Sequence, residues 1–304
     1  MRVVFMGTPD FAVPSLRLLA ERHDVTLVVT RPDAVRSRGK RLEPSPVKHA
    51  ALELGLPVLE TSRITDEAFA RVADERPDVI AVAAYGCILP DRLLELAPLG
   101  CVNVHGSLLP RWRGAAPIQR AVLCGDERAG ISIMKVVHEL DAGAYCRQAS
   151  VEVADKDSSQ VMGELAELGA QELLLALDDI ASGSVVWTEQ DESLVTYAAK
   201  IDKAEMRLSP ADDALTNLRR VRASMDAAPA RLSVEGKGVR ALAGRLADAD
   251  VAQGAVRVGK GHVILGCATG ALELTRVKPD GKREMDASAW AAGLRGHDLA
   301  WSEV

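Results

Sequence analysis

Through its first 137 residues the chain alternates short apolar runs with amphipathic stretches, and no other feature limits its fold as tightly. Arg2–Met6, Val25–Thr30 and residues 78–84 read as buried strands. Phe11–Leu19, Pro46–Leu54, Asp66–Arg76 and Pro90–Leu96 read as helices between them, with Gly55 and Pro57 closing the second. Repeats of this kind predict an α/β domain: an open, mostly parallel, Rossmann-like sheet with helices on both faces. The first turn, Gly7-Thr-Pro-Asp, lacks the later glycines of a dinucleotide fingerprint, so nicotinamide chemistry is a poor fit. Pro117–Leu123 continues as a helix, Gly130–Val137 as a strand, 151–154 as an edge strand and Gln160–Ala181 as a long helix.

The texture changes after residue 207. Short β-type runs at Val239–Ala243, Gly254–Val258, His262–Gly266 and Ala271–Val277 are separated by glycine-bearing turns, which predicts a small OB-like β-barrel. The expected division is a first domain over 1–190, a linker over 191–206 and a second domain over 207–304. A chain of 304 residues with 48% hydrophobic and 26% charged content suits two globular domains. No apolar run is long enough to span a bilayer, and the first residues run straight into a strand, so neither membrane nor secretory signal is expected. Cys87, Cys101, Cys124, Cys146 and Cys267 form no Cys-x-x-Cys pair. The expectation is a reduced, cytoplasmic protein without a structural metal.

Net charge is −6, but it is unevenly spread. Residues 1–206 carry 22 Lys and Arg against 31 Asp and Glu, whereas 207–304 carry 15 against 12. Between 31 and 41 stand five basic residues and one acidic one. An acidic body with a basic loop and a mildly basic second domain can grip a phosphate backbone locally.

The chemistry concentrates in residues 103–119. Asn103 and His105 are two apart in a strand, Cys101-Val-Asn-Val-His, so they face the same side. A carboxamide can donate to a developing oxyanion while a neighbouring imidazole orients or moves a proton. Asp141 follows a later strand, in Leu140-Asp-Ala-Gly143, where strand ends of an open sheet gather. A carboxylate there can hold the imidazole in one tautomer and assist proton transfer from an attacking amine.

The Asn-x-His pair, the Ser107-Leu108-Leu109-Pro110 turn, the Arg113-Gly114-Ala-Ala-Pro117 loop and the Leu-Asp-x-Gly motif together resemble the folate-dependent formyltransferases. The resemblance implies transfer of a formyl group from 10-formyltetrahydrofolate to a primary amine, with Asn103, His105 and Asp141 as the catalytic set and no metal. It also implies a folate pocket formed by Ser107, Leu108, Leu109 and Pro110 with Ile88 and Leu89, the last two in a segment, Tyr85–Pro90, that is similar to the family's pterin loop. Arg36-Ser-Arg38-Gly39-Lys40-Arg41, followed by Pro44-Ser-Pro-Val-Lys48, resembles the basic loop of those members that formylate charged initiator tRNA. Arg36, Arg38, Gly39, Lys40 and Arg41 would then contact phosphates, and the protein would act as a monomer. Asn217–Pro229 resembles the helical lead-in to the second domain of those members, but Arg207-Leu-Ser-Pro210 departs from their usual Ile-Asp-Trp. An acceptor among amino-sugar nucleotides is the alternative, and a catalytically silent RNA-binding module a third reading.

Overall fold

The computed structural model describes residues 1–35, 42–259, 261–294 and 298–304. It resolves into two compact units: Met1–Pro117 with Ala129–Glu152 and Met162–Ala198, and Ile118–Arg128 with Val153–Val161 and Ala199–Val304.

The first unit is built on seven strands: β1 (Arg2–Gly7), β2 (Asp24–Thr30), β3 (Val58–Glu60), β4 (Val79–Ala83), β5 (Cys101–His105), β6 (Arg128–Lys135) and β7 (Tyr145–Glu152). Their spatial order is β7-β6-β5-β4-β1-β2-β3. The pairs from β5 to β3 are parallel, and β6 runs antiparallel to β5. Central strands of a two-faced sheet must be apolar throughout, and Val79-Ile-Ala-Val-Ala is buried at all five positions. On one face Val4, Met6, Leu27, Ile80 and Val82 pack with Val72, Leu93 and Cys101, where burial pushes the Cys101 thiol up to about 12. Each fully buried Leu, Ile or Val there contributes roughly 1.5–3 kcal/mol of transfer free energy.

Strand order reverses between β1 and β4, which opens a crevice at their carboxyl ends. Thr8 Oγ1 donates to the Tyr85 carbonyl at 3.0 Å and joins the loops that leave those two strands. Gly7 is required here, because a Cβ would stand 2.8 Å from that of Ala12. The helix expected from Phe11 starts as a 3-10 turn at Asp10–Ala12 and becomes α1 over Val13–Arg22. The expected strand over 151–154 is the end of the longer edge strand β7.

The second unit contains a closed barrel. Its strands are β8 (Arg231–Val234), β9 (Lys237–Ala247), β10 (Ala255–Gly259), β11 (His262–Gly266), β12 (Ala271–Pro279) and β14 (Leu299–Ser302). A short β13 (Met285–Asp286) hangs on β12. All pairings are antiparallel, and β9 pairing with β12 closes the ring. Closure leaves the six strands no open edge. Leu232, Val239, Val263, Leu265, Leu272, Leu274 and Trp301 fill the interior. The four expected strands are present. β8 and β14 escape sequence reading because each is only four residues long. The helix expected over Asn217–Pro229 is Ala214–Arg222, set back because Asp213 caps it through the Thr216 amide at 2.7 Å.

Candidate active site

β5 carries Asn103 opposite Val82 on one neighbour and Met134 on the other, and His105 opposite Ser132. Strand alternation therefore sets the carboxamide and imidazole on one side at the carboxyl end of β5. Asn103 is half-buried, and among the described residues nothing hydrogen-bonds to its side chain. His105 is 5% exposed. Its Nε2 lies 3.0 Å from the Trp112 carbonyl, which can only accept, so Nε2 carries a proton and donates. Trp112 takes a left-handed φ of +65°, an uncommon conformation for a bulky residue and one that marks a constrained turn.

Asp141 closes the cluster. Its Oδ2 lies 3.6 Å from His105 Nδ1 and accepts from the Gly114 amide at 2.9 Å. At 3.6 Å the carboxylate and imidazole are at ion-pair rather than hydrogen-bond range. The imidazole tautomer is thus set by the Trp112 carbonyl, not by Asp141 as expected from the sequence. With Nε2 protonated, Nδ1 and Oδ2 face each other as two acceptors unless a proton sits on one of them. Asn103 supplies unengaged N–H donors beside that pair of acceptors.

The segment between β5 and Asp141 is braced from below. Ser132 Oγ donates to the Ser107 carbonyl at 2.7 Å and accepts from the Leu109 amide at 3.0 Å. Gln148 Nε2 reaches the Leu109 carbonyl at 2.9 Å and Ser132 Oγ at 2.8 Å. The Ser107 hydroxyl donates to the Arg111 carbonyl at 2.6 Å. Ser107 and Leu109 are buried, while Leu108 and Pro110 are half-buried, with Leu108 packed over Gly130. In the second expected folate segment Leu89 is buried and Ile88 is 92% exposed. Tyr85 anchors that segment by donating to the Thr61 carbonyl at 3.1 Å, and burial raises its phenol well above the ordinary value.

Arg113–Gly114 pairs in parallel with Tyr197–Ala198, and the Thr196 hydroxyl accepts from the Trp112 amide at 3.0 Å. Thr196, Tyr197 and Ala198 lie within the stretch expected as the linker, 191–206. Sequence reading missed Ser132, Gln148, Gln190 and Thr196. Ser132 left one signal, a lone hydroxyl in the buried run Ile131-Ser-Ile-Met134.

Arg36, Arg38, Gly39, Lys40 and Arg41 lie outside the described residues. Ala34–Val35 and Leu42–Glu43 on either side of them pair antiparallel. No group of three or more His, Cys, Asp or Glu among the described residues could hold a metal ion. No helix of the described residues is long and apolar enough to cross a membrane.

The pattern of the formyl transferase family matches residues 1–177, and that of the formyl transferase C-terminal domain matches 200–295. The methionyl-tRNA formyltransferase of Methylobacillus flagellatus is 41% identical over 96% of this chain and 96% of its own length. That of Methylococcus capsulatus is 42% identical over 99% and 98%. The chain belongs to the methionyl-tRNA formyltransferase family. Solved structures extend the likeness in fold. The methionyl-tRNA formyltransferase from Clostridium thermocellum superposes with a TM-score of 0.59 at 14% identity, covering 82% of this chain and 95% of that one. HypX from Aquifex aeolicus in complex with tetrahydrofolic acid gives 0.66 at 18% identity, where 95% of this chain spans only 46% of that one.

Proposed function

We propose that the protein transfers the formyl group of 10-formyltetrahydrofolate to the amino group of methionyl-initiator-tRNA. The observation that carries the reading is the cluster at the end of β5, in a chain about two-fifths identical to methionyl-tRNA formyltransferases along nearly its whole length. The amine attacks the formyl carbon and a tetrahedral oxyanion forms. Asn103 donates to that oxygen, and His105 adds positive charge beside it once Nδ1 has taken a proton. The His105–Asp141 pair takes the proton shed by the attacking nitrogen and returns it to N10 of the folate as the carbon–nitrogen bond breaks. The products are the formylated amine and tetrahydrofolate, with protons in balance.

The folate is held by Ser107, Leu108, Leu109 and Pro110 on one side and by Ile88 and Leu89 on the other. An isoleucine left 92% exposed in the loop after β4 suits a flat ligand that covers it. Arg36, Arg38, Gly39, Lys40 and Arg41 contact the acceptor-stem phosphates. Residues 1–190 form the catalytic domain, 191–206 the linker and 207–304 the tRNA-binding domain. The protein works as a cytoplasmic monomer.

The test is a transfer assay from 10-formyltetrahydrofolate with three acceptors: methionyl-initiator-tRNA, free methionine and an amino-sugar nucleotide. Transfer to the charged tRNA alone, with a raised KM in Arg38→Ala and Lys40→Ala, is expected. Transfer to the sugar nucleotide alone would keep the chemistry and replace the acceptor. RNA binding without transfer would leave a silent binding module.

A further inference from the structure

Gln190 belongs to no motif of the site, lies 49 residues beyond Asp141 and is 9% exposed. Its Nε2 donates to the carbonyl of Asp141 at 2.8 Å and to that of Gly143 at 2.8 Å. Its Oε1 accepts from Arg113 Nε at 2.9 Å. The amide can stand only one way round, because a guanidinium has no acceptor and a carbonyl no donor. Both amide hydrogens are therefore committed to the turn that presents Asp141. That turn needs holding, since Asp141 sits at φ +51°.

The other end of the link is equally placed. Arg113 is 1% exposed and is matched by Glu192 at 2.7 Å. It stands between Trp112, whose carbonyl fixes the His105 ring, and Gly114, whose amide fixes the Asp141 carboxylate. One carboxamide thus ties the backbone of Asp141 to the residue that separates the anchors of both catalytic side chains.

We infer that Gln190 is a positioning residue for formyl transfer, locking the left-handed Asp141 turn against Arg113 so that the carboxylate is held facing Nδ1 of the His105 imidazole. The inference rests on the catalytic assignment of Asp141 made above. The side-chain type is specific. A glutamate would keep the volume and the Arg113 contact but set acceptors against two carbonyls.

The experiment measures kcat, and KM for 10-formyltetrahydrofolate and methionyl-initiator-tRNA, in Gln190→Glu, Asp141→Asn and the double variant. Gln190→Glu is expected to lower kcat by about 10- to 100-fold, as a small misplacement of a catalytic group does, with both KM values held. Added to Asp141→Asn it should cost less than about 2-fold more, since the two act through one group. Gln190→Met, which removes the hydrogen bonds without burying a charge, carries the same expectation and serves where the glutamate variant does not fold. An unchanged kcat in Gln190→Glu or Gln190→Met would overturn the inference. So would an equal loss on the Asp141→Asn background, which is what a general structural role would produce. If Asp141→Asn itself transfers at the wild-type rate, the catalytic assignment fails first and the inference falls with it.

Discussion

The end of β5 and the interior of the barrel make opposite use of buried groups. Around β5, His105, Ser107, Arg113, Ser132 and Gln190 are all buried and polar, and three turn residues in the same loops, Trp112, Gly114 and Asp141, have positive φ. Inside the barrel the buried set is almost wholly apolar, with Leu232, Leu265, Leu272, Leu274 and Trp301 at 3% exposure or less. Buried polar groups cost stability unless every partner is present, so a network of this density persists where it positions chemistry. The barrel interior does the ordinary work of holding a fold together. Its charged groups stand outside as Arg–carboxylate pairs such as Arg231–Asp280 and Arg240–Asp226.

The comparison is broken most easily at Asn103. Asn103→Ala should lower kcat by about 10²–10³, the usual loss for one oxyanion donor, while leaving the melting temperature in place. The side chain has no hydrogen-bond partner among the described residues, so little stability goes with it. Leu272→Ala should do the reverse. It opens a cavity in the barrel and should cost about 2–5 kcal/mol in denaturant unfolding, with kcat unchanged well below the melting transition.

Gly114→Ala joins the two effects. Its φ is +122°, and a Cβ would stand 2.9 Å from the Ala198 carbonyl oxygen. The strain should cost roughly 1–3 kcal/mol and displace the amide that holds Asp141, so stability and kcat should fall together. The smallest effect belongs to the outer face of the barrel. Arg245, and then His262, hold the Glu273 carboxyl below its usual range by hydrogen bonding. A depressed carboxylate stabilises the fold above its unfolded value, near 4.3 for glutamate, and loses that contribution as pH falls through the folded value. Melts of wild type and Glu273→Gln should differ by about 1 kcal/mol near neutral pH, and the gap should close on acidification.

How much of this was legible in the sequence follows from distance along the chain. Asn103 and His105 could be read because a period of two puts neighbours on one face, and the sheet because its strands are continuous apolar runs. Asp141 could be placed through its own short motif. Gln190 could not, because its partners stand at Asp141, Gly143 and Arg113, and three hydrogen bonds between distant loops leave no periodic trace. The same reason hid the Trp112 carbonyl as the group that sets the His105 tautomer. In the barrel, β14 was illegible because Leu299-Ala-Trp-Ser is short and gains its meaning only from the strands on either side.

The central claim is that the cluster at the end of β5 carries the transfer, and single-turnover formylation of methionyl-initiator-tRNA by Asp141→Asn tests it most directly. With both substrates saturating, the account predicts a folded protein that binds both and transfers at least about 100-fold more slowly than wild type. Transfer at the wild-type rate would contradict it.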